Sequence, residues 1–304
     1  MSFGSDIGGA GSTAATTFEY GWTYVVRPKG KHQATIVWLH GLGDKGSSWS
    51  QLFETLPLPN IKWICPTAPT RPVEALGGFS CTAWFEVGEL SEDAADDLEG
   101  LNASAAHVAN LLSTEPPDVK LGVGGFSMGA AMALYSATCQ NLGRYGNGNP
   151  YPIKLSAIVG LSGWLPCSRS LSTWMEESQE PELHAASLPI LLCHGSDCQL
   201  NPNVVSCRFS SCSSKPAYRC VLLLRMICLP LLNPVFDINS MFSADEIVAY
   251  EHGEKSAQTL ASIGFQNLTF RTYDGLGHYT IPEETDELCN WLTATLELEG
   301  NSSG

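Results

Sequence analysis

The sequence predicts an α/β fold, a mainly parallel central sheet with helices on both faces. Three observations carry that expectation. Several short runs are apolar along their whole length, as strands covered on both faces must be. Longer amphipathic stretches separate them, which suits crossover helices. One such run, residues 121–126, passes at once into small helix formers over 128–138. In chain order, residues 34–39 (ATIVWL) and 61–66 (IKWICP) are rich in β-branched and aromatic residues and read as strands. Residues 97–112 have a helical pattern. Residues 121–126 (LGVGGF) form a third strand, followed by the small-residue helix. Residues 155–161 (LSAIVGL) and 188–194 (LPILLCH) give the fourth and fifth strands. Helical patterns over 247–263 and 283–298 flank a last strand at 268–273 (LTFRTY). There is no internal repeat.

A length of 304 residues with 44% hydrophobic content can fill one large core. The expected organisation is a disordered segment at 1–17, a single domain over 18–298 and a flexible tail at 299–304. Residues 198–241 break the alternation. They hold five of the 11 Cys, scattered Ser and Pro, and an apolar run at 221–232 without clean turn signals. An unstructured loop of that length is unusual inside a compact domain. The formal charge is −15, and no Lys/Arg stripe is present. Such a chain repels a phosphate backbone, so no nucleic-acid partner is expected, and anionic membranes would not attract it. No apolar run is long enough to span a bilayer. The first residues lack the basic start and apolar core of a secretory signal. The expected location is cytoplasmic, with reduced thiols rather than disulfides.

The chemistry-bearing pattern is Gly125-Phe126-Ser127-Met128-Gly129, a G-x-S-x-G between strand and helix. That context is what a nucleophile elbow needs. The turn exposes the Ser127 hydroxyl at a helix N-terminus, where N–H groups and the dipole favour developing negative charge. A serine hydroxyl needs a base, and in α/β-hydrolases the chain order is Ser, acid, His. Of the seven His, only His184, His194, His252 and His278 follow Ser127. His278 lies in a Gly-rich loop after the last strand, where a side chain can reach the sheet's C-terminal edge. His252 sits in a helical pattern, His184 in a loop, and His194 closes a strand. The acid is open on spacing alone between Asp197 and Asp245, with Asp237 a third position. Oxyanion donors are expected from the Met128 N–H and from the Gly-rich loop after the first strand, where Leu42 N–H is the natural candidate. A phosphate loop fails, because no G-K-[ST] follows those glycines. No HExxH or zinc-spaced Cys pair occurs, so neither metal nor other cofactor is expected. Residues 73–90 are candidates for an apolar loop over the site, with Leu76, Phe79, Trp84 and Phe85 as substrate-binding residues.

Beyond the elbow, the chain carries His40-Gly41-Leu42-Gly43-Asp44, Pro66-Thr67-Ala68-Pro69, Ala83-Trp84-Phe85, Leu161-Ser162-Gly163-Trp164-Leu165-Pro166, Cys193-His194-Gly195 and Gly277-His278. With these seven motifs in order it resembles the acyl-protein thioesterase, or phospholipase/carboxylesterase, branch of the α/β-hydrolases, in a plant-like form. The resemblance covers residues 17–198 and 244 onward. It implies cleavage of acyl thioesters or esters, foremost the depalmitoylation of S-acylated proteins. Acyl lipid esters are the other substrate class, through lysophospholipase or general carboxylesterase activity. It leaves room for transient membrane contact without a transmembrane segment. The family pattern H-G-x-x-D-x-x-V is interrupted at Cys198. Joining His194-Gly195-Ser196 to Ala244-Asp245 restores it, which selects Asp245 as the acid. The interruption at 197–243 then reads as translated intron or a misplaced exon boundary. If it displaced Asp245, the chain would be an inactive hydrolase-fold binding protein.

Overall fold

The computed structural model describes residues 18–88, 95–177, 187–196, 245 and 247–298. Seven strands form the main sheet: β1 (Tyr24–Val26), β2 (Ala34–Leu39), β3 (Ile61–Cys65), β6 (Lys120–Phe126), β7 (Ala157–Leu161), β8 (Ile190–Ser196) and β9 (Leu268–Asp274). Their order is β1-β3-β2-β6-β7-β8-β9. Only β1 runs antiparallel to its neighbour, pairing Tyr24 with Cys65; the other pairings are parallel. Strands β4 (Thr70–Val73) and β5 (Phe79–Thr82) form a separate antiparallel hairpin.

The period of two along each strand divides the core in two. On β2, Val37 and Leu39 join one cluster while Ile36 and Trp38 join the other. On β8, Ile190 and Leu192 face the first, and Leu191 and Cys193 the second. The first cluster takes in α2 (Leu98–Ser113), α3 (Met128–Leu142) and α5 (Tyr250–Ser262). The second takes in α1 (Gly46–Phe53) and α6 (Pro282–Thr295). Helices thus cover both faces, as the fully apolar strands require. Helix α3 is buried all round from Met128 to Gln140, which is why small Ala residues dominate it and a one-sided polar stripe does not. Helix α4 (Ser168–Glu177) sends Leu171 into the first cluster.

The six expected strands are all present, within one or two residues at each end. Two helices start elsewhere than the periodicity suggests. The 247–263 pattern becomes helical only at Tyr250, because Asp245 Oδ1 takes the Ile247 and Val248 N–H groups at 3.2 and 2.9 Å and holds a turn there. The last helix begins at Pro282, a favoured first position, and stops at Thr295. Of the stretch expected as an apolar loop, the described residues 73–88 hold the last residue of β4, a 3₁₀ turn at Glu74–Leu76, strand β5 and a segment that carries Ala83, Trp84 and Phe85 into the core. No helix among the described residues is long and apolar enough to cross a membrane.

Six cysteines lie among the described residues, all as free thiols. Cys65, Cys139, Cys167, Cys193 and Cys289 are buried and Cys81 is partly so. Burial pushes the Cys65 and Cys139 thiols up to about 12 and those of Cys81 and Cys289 to about 11.

Candidate active site

Ser127 occupies the sharp turn between β6 and α3 with φ 56° and ψ −121°. A side-chain-bearing residue at positive φ is strained by about 1–3 kcal/mol. The surrounding contacts hold it there: Ser127 N–H donates to Leu161 O at 2.8 Å, and its own carbonyl accepts from Ala131 N at 3.1 Å. The flanking glycines are steric necessities. A Cβ on Gly125 would run into the Gly129 backbone, and one on Gly129 into the Leu39 carbonyl.

The His278 imidazole lies beside this turn. Its Nε2 is 2.9 Å from Ser127 Oγ, and its Nδ1 is 2.9 Å from Asp245 Oδ2. The Phe126 ring packs against the imidazole, with centroids 4.8 Å apart. The loop carrying His278 approaches β8 closely: Gly275 N–H donates to Ser196 O at 2.9 Å, and a Cβ on Gly195 would collide with Leu276 O. The glycine of the His194-Gly195 pair is therefore the reason the loop can seat. His194 itself is buried, with Nδ1 bonded to Gly195 O at 2.9 Å. It faces Tyr250 edge to face and packs the chain.

Asp245 has a fully buried side chain. Burial opposes its ionisation. The hydrogen bond and charge of His278, the Val248 N–H and His194 outweigh that, and hold the carboxyl below its ordinary value. Asp245 is thus an anion aimed at Nδ1, which leaves Nε2 to face the serine. Asp197, Asp237 and His184 lie outside the described residues, and His252 is on α5.

The 40–44 loop borders the same turn. A Cβ built on Gly41 would stand 3.4 Å from Ser127 Cβ, so Leu42 follows a backbone already in contact with the serine. His40 fixes that loop from beneath. Its Nε2 accepts the Ala68 N–H at 3.0 Å, so its Nδ1 carries the proton and donates to Gly41 O at 2.6 Å. Burial lowers its affinity for a second proton. The Trp84 indole N–H donates to His40 O at 2.9 Å, and Ser104 Oγ donates to Trp84 O at 2.6 Å. Asp44 ties the loop to α1 through Ser48 and Trp49, and to the hairpin through Thr82. These bracing roles of His40, Asp44 and Phe126 escape sequence reasoning. Only the clustering of His40 and Asp44 around two glycines hints at them. Met128, the first residue of α3, has its side chain in the core and its N–H at the helix start beside Ser127.

The four expected substrate-binding residues divide. Leu76, Trp84 and Phe85 are 4%, 1% and 3% exposed and belong to the core, so their surface is spent on packing. Phe79, at the start of β5, is 61% exposed. Trp164 is partly buried and meets Phe85 edge to face at 6.0 Å.

A seven-stranded, mainly parallel sheet with a strained serine between a central strand and a buried helix defines an α/β-hydrolase of the serine type. Residues 21–221 match the family model described as Phospholipase/Carboxylesterase, and the chain belongs to that family. It is similar to the crystal structure of Zea mays acyl-protein thioesterase 2, with 57% identity, a TM-score of 0.74, and coverage of 91% of this chain and 100% of that one. It is 27% identical over 281 residues to acyl-protein thioesterase 1 of Cryptococcus neoformans, covering 90% of this chain and 96% of that protein. It is 26% identical over 283 residues to acyl-protein thioesterase 1 homolog 1 of Dictyostelium discoideum, with the same coverages. The chain is a serine hydrolase of the acyl thioesterase/esterase type.

Proposed function

We propose that this protein is an S-palmitoyl-protein thioesterase working through Ser127, His278 and Asp245. The single observation that carries the reading is the unbroken hydrogen-bond chain from Asp245 Oδ2 through His278 to Ser127 Oγ, 2.9 Å at each link. The names of its maize and fungal relatives support the thioester substrate. In the first step Ser127 Oγ attacks the acyl carbonyl while His278 Nε2 takes its proton. Asp245 stabilises the imidazolium so formed. The Leu42 and Met128 N–H groups are the proposed donors to the oxyanion. His278 then protonates the leaving thiolate, and a water activated by the same imidazole releases the fatty acid. Phe79, exposed on the hairpin that Thr82 ties to Asp44, is the proposed contact for the acyl chain. No cofactor enters the scheme.

The test is hydrolysis of a palmitoyl-peptide thioester by the full chain beside its Ser127→Ala variant, with fluorophosphonate labelling in parallel. The expected outcome is labelled, active wild type, and a variant that folds but neither labels nor turns over, with a loss on the order of 10⁶-fold in kcat. Faster cleavage of a lysophospholipid or short ester than of the thioester would move the substrate assignment to carboxylesterase. A folded wild type that neither labels nor hydrolyses any of them would make the protein a binding module.

A further inference from the structure

Glu284 is the third residue of α6, three positions after the N-cap Ile281 and six after His278. A glutamate there ordinarily reaches back to the free N–H groups of the helix start. This one does not. Its side chain turns inward, the residue is 0% exposed, and neither carboxyl oxygen has a hydrogen-bond partner among the described residues. A buried carboxyl without partners is costly as an anion and much less so as a neutral acid. The ionisable groups facing it are Asp245 before α5, Cys193 on β8 and Tyr273 on β9; Arg271 and Glu287, paired with each other at 2.9 Å, act on Cys193 in turn. Burial keeps Cys193 and Tyr273 uncharged. Asp245 already holds the one negative charge that His278 requires.

We propose that Glu284 is a positioning residue, a carboxyl stored in neutral form behind Asp245. Its ionisation puts a second negative charge into the same buried pocket, loosens the first turn of α6 and draws the His278 loop out of place. The pocket then sets the alkaline limit of the enzyme. The consequence for rate rests on the Ser127–His278–Asp245 reading; the ionisation does not.

Burial first, and then the Asp245 charge, push the Glu284 carboxyl up to about 8 from an ordinary 4.5. Between those values the folded protein holds a proton that the unfolded chain releases. Stability therefore falls as pH rises through that window and loses nothing more above it. Glu284→Gln keeps the shape without the ionisation.

The experiment measures Tm and kcat/KM against pH, from about pH 5 to about pH 9.5, for wild type and Glu284→Gln. The expected result has two parts. The Tm advantage of the variant grows up to about pH 8 and then levels. Wild-type activity falls about tenfold per pH unit above that point while the variant holds its plateau. Parallel Tm curves for the two proteins would overturn the proposal, as would an alkaline fall in activity that the variant shares. The Tm arm reads the ionisation even if Ser127 proves not to be the nucleophile, so the two readings fail separately. If the variant does not fold, wild type labelled with ¹³C-glutamate decides. One carboxyl still protonated at neutral pH that titrates near 8 supports the proposal, and complete ionisation at neutral pH defeats it.

Discussion

His278 sits between two partners held by different means. Ser127 is fixed by backbone strain and by hydrogen bonds to β7 and α3. Asp245 is fixed by its own turn, through the Ile247 and Val248 N–H groups. Asp245→Asn would keep that turn but lose the charge facing Nδ1. The expected loss is about 10⁴-fold in kcat with KM little changed, and steady-state kinetics on the thioester would check it. Because the native carboxyl is held below its ordinary value of 3.8, its stabilising contribution is complete above that pH and is lost only on further acidification. At this scale the sequence was informative for Ser127 and His278, since the elbow motif and a Gly-rich loop after the last strand are local signals. Asp245 was not legible from spacing. Its partners are its own next turn and a histidine 33 residues away, and only the broken family motif pointed to it. Glu284 was invisible, because its pattern is that of a solvated first helical turn.

The junction of β6 and α3 is where strand and helix geometry have least slack. Gly129→Ala would drive a methyl group into the Leu39 carbonyl, so β2 or α3 must move. We expect destabilisation of about 3 kcal/mol or more and loss of activity together, read by urea unfolding and by the thioester assay. The elements that sequence reasoning recovered share a cause: each is apolar or periodic over its whole length. Those it missed lack that property. Strand β1 has three residues, two of them exposed. Helix α1 opens on Gly-Ser-Ser and is set by Trp49 and Phe53 packing under Trp38. The hairpin carries Pro72 and pairs by register rather than by hydrophobic pattern. The expected apolar loop over the site at 73–90 loses Leu76, Trp84 and Phe85 to the core and keeps Phe79 exposed. The aromatic pair Trp84-Phe85 is apolar enough for a groove, but its indole N–H is needed to hold the His40 carbonyl.

At the scale of the whole molecule, the chain leaves the sheet at Ser196 and re-enters the described structure at Asp245, and both points are anchored on one loop. Ser196 accepts the Gly275 N–H and donates to Asp274, while Asp245 holds His278. The two ends thus meet the same five residues, and closing them on each other costs little. We expect a variant lacking residues 197–243 to fold, to be at least as stable as the full chain, and to match it in kcat/KM. A thermal melt and the thioester assay would check this. A variant far more active than the parent would mean that the segment obstructs the site. The buried thiols have a practical bearing here. With five described cysteines enclosed, and those whose values stand near 11 or 12 keeping almost no thiolate at neutral pH, the folded body is nearly silent toward maleimides and iodoacetamide. Any rapid alkylation of the native protein therefore reports on Cys198, Cys207, Cys212, Cys220 and Cys228, and a dye attached under gentle conditions would mark that segment against a dark background.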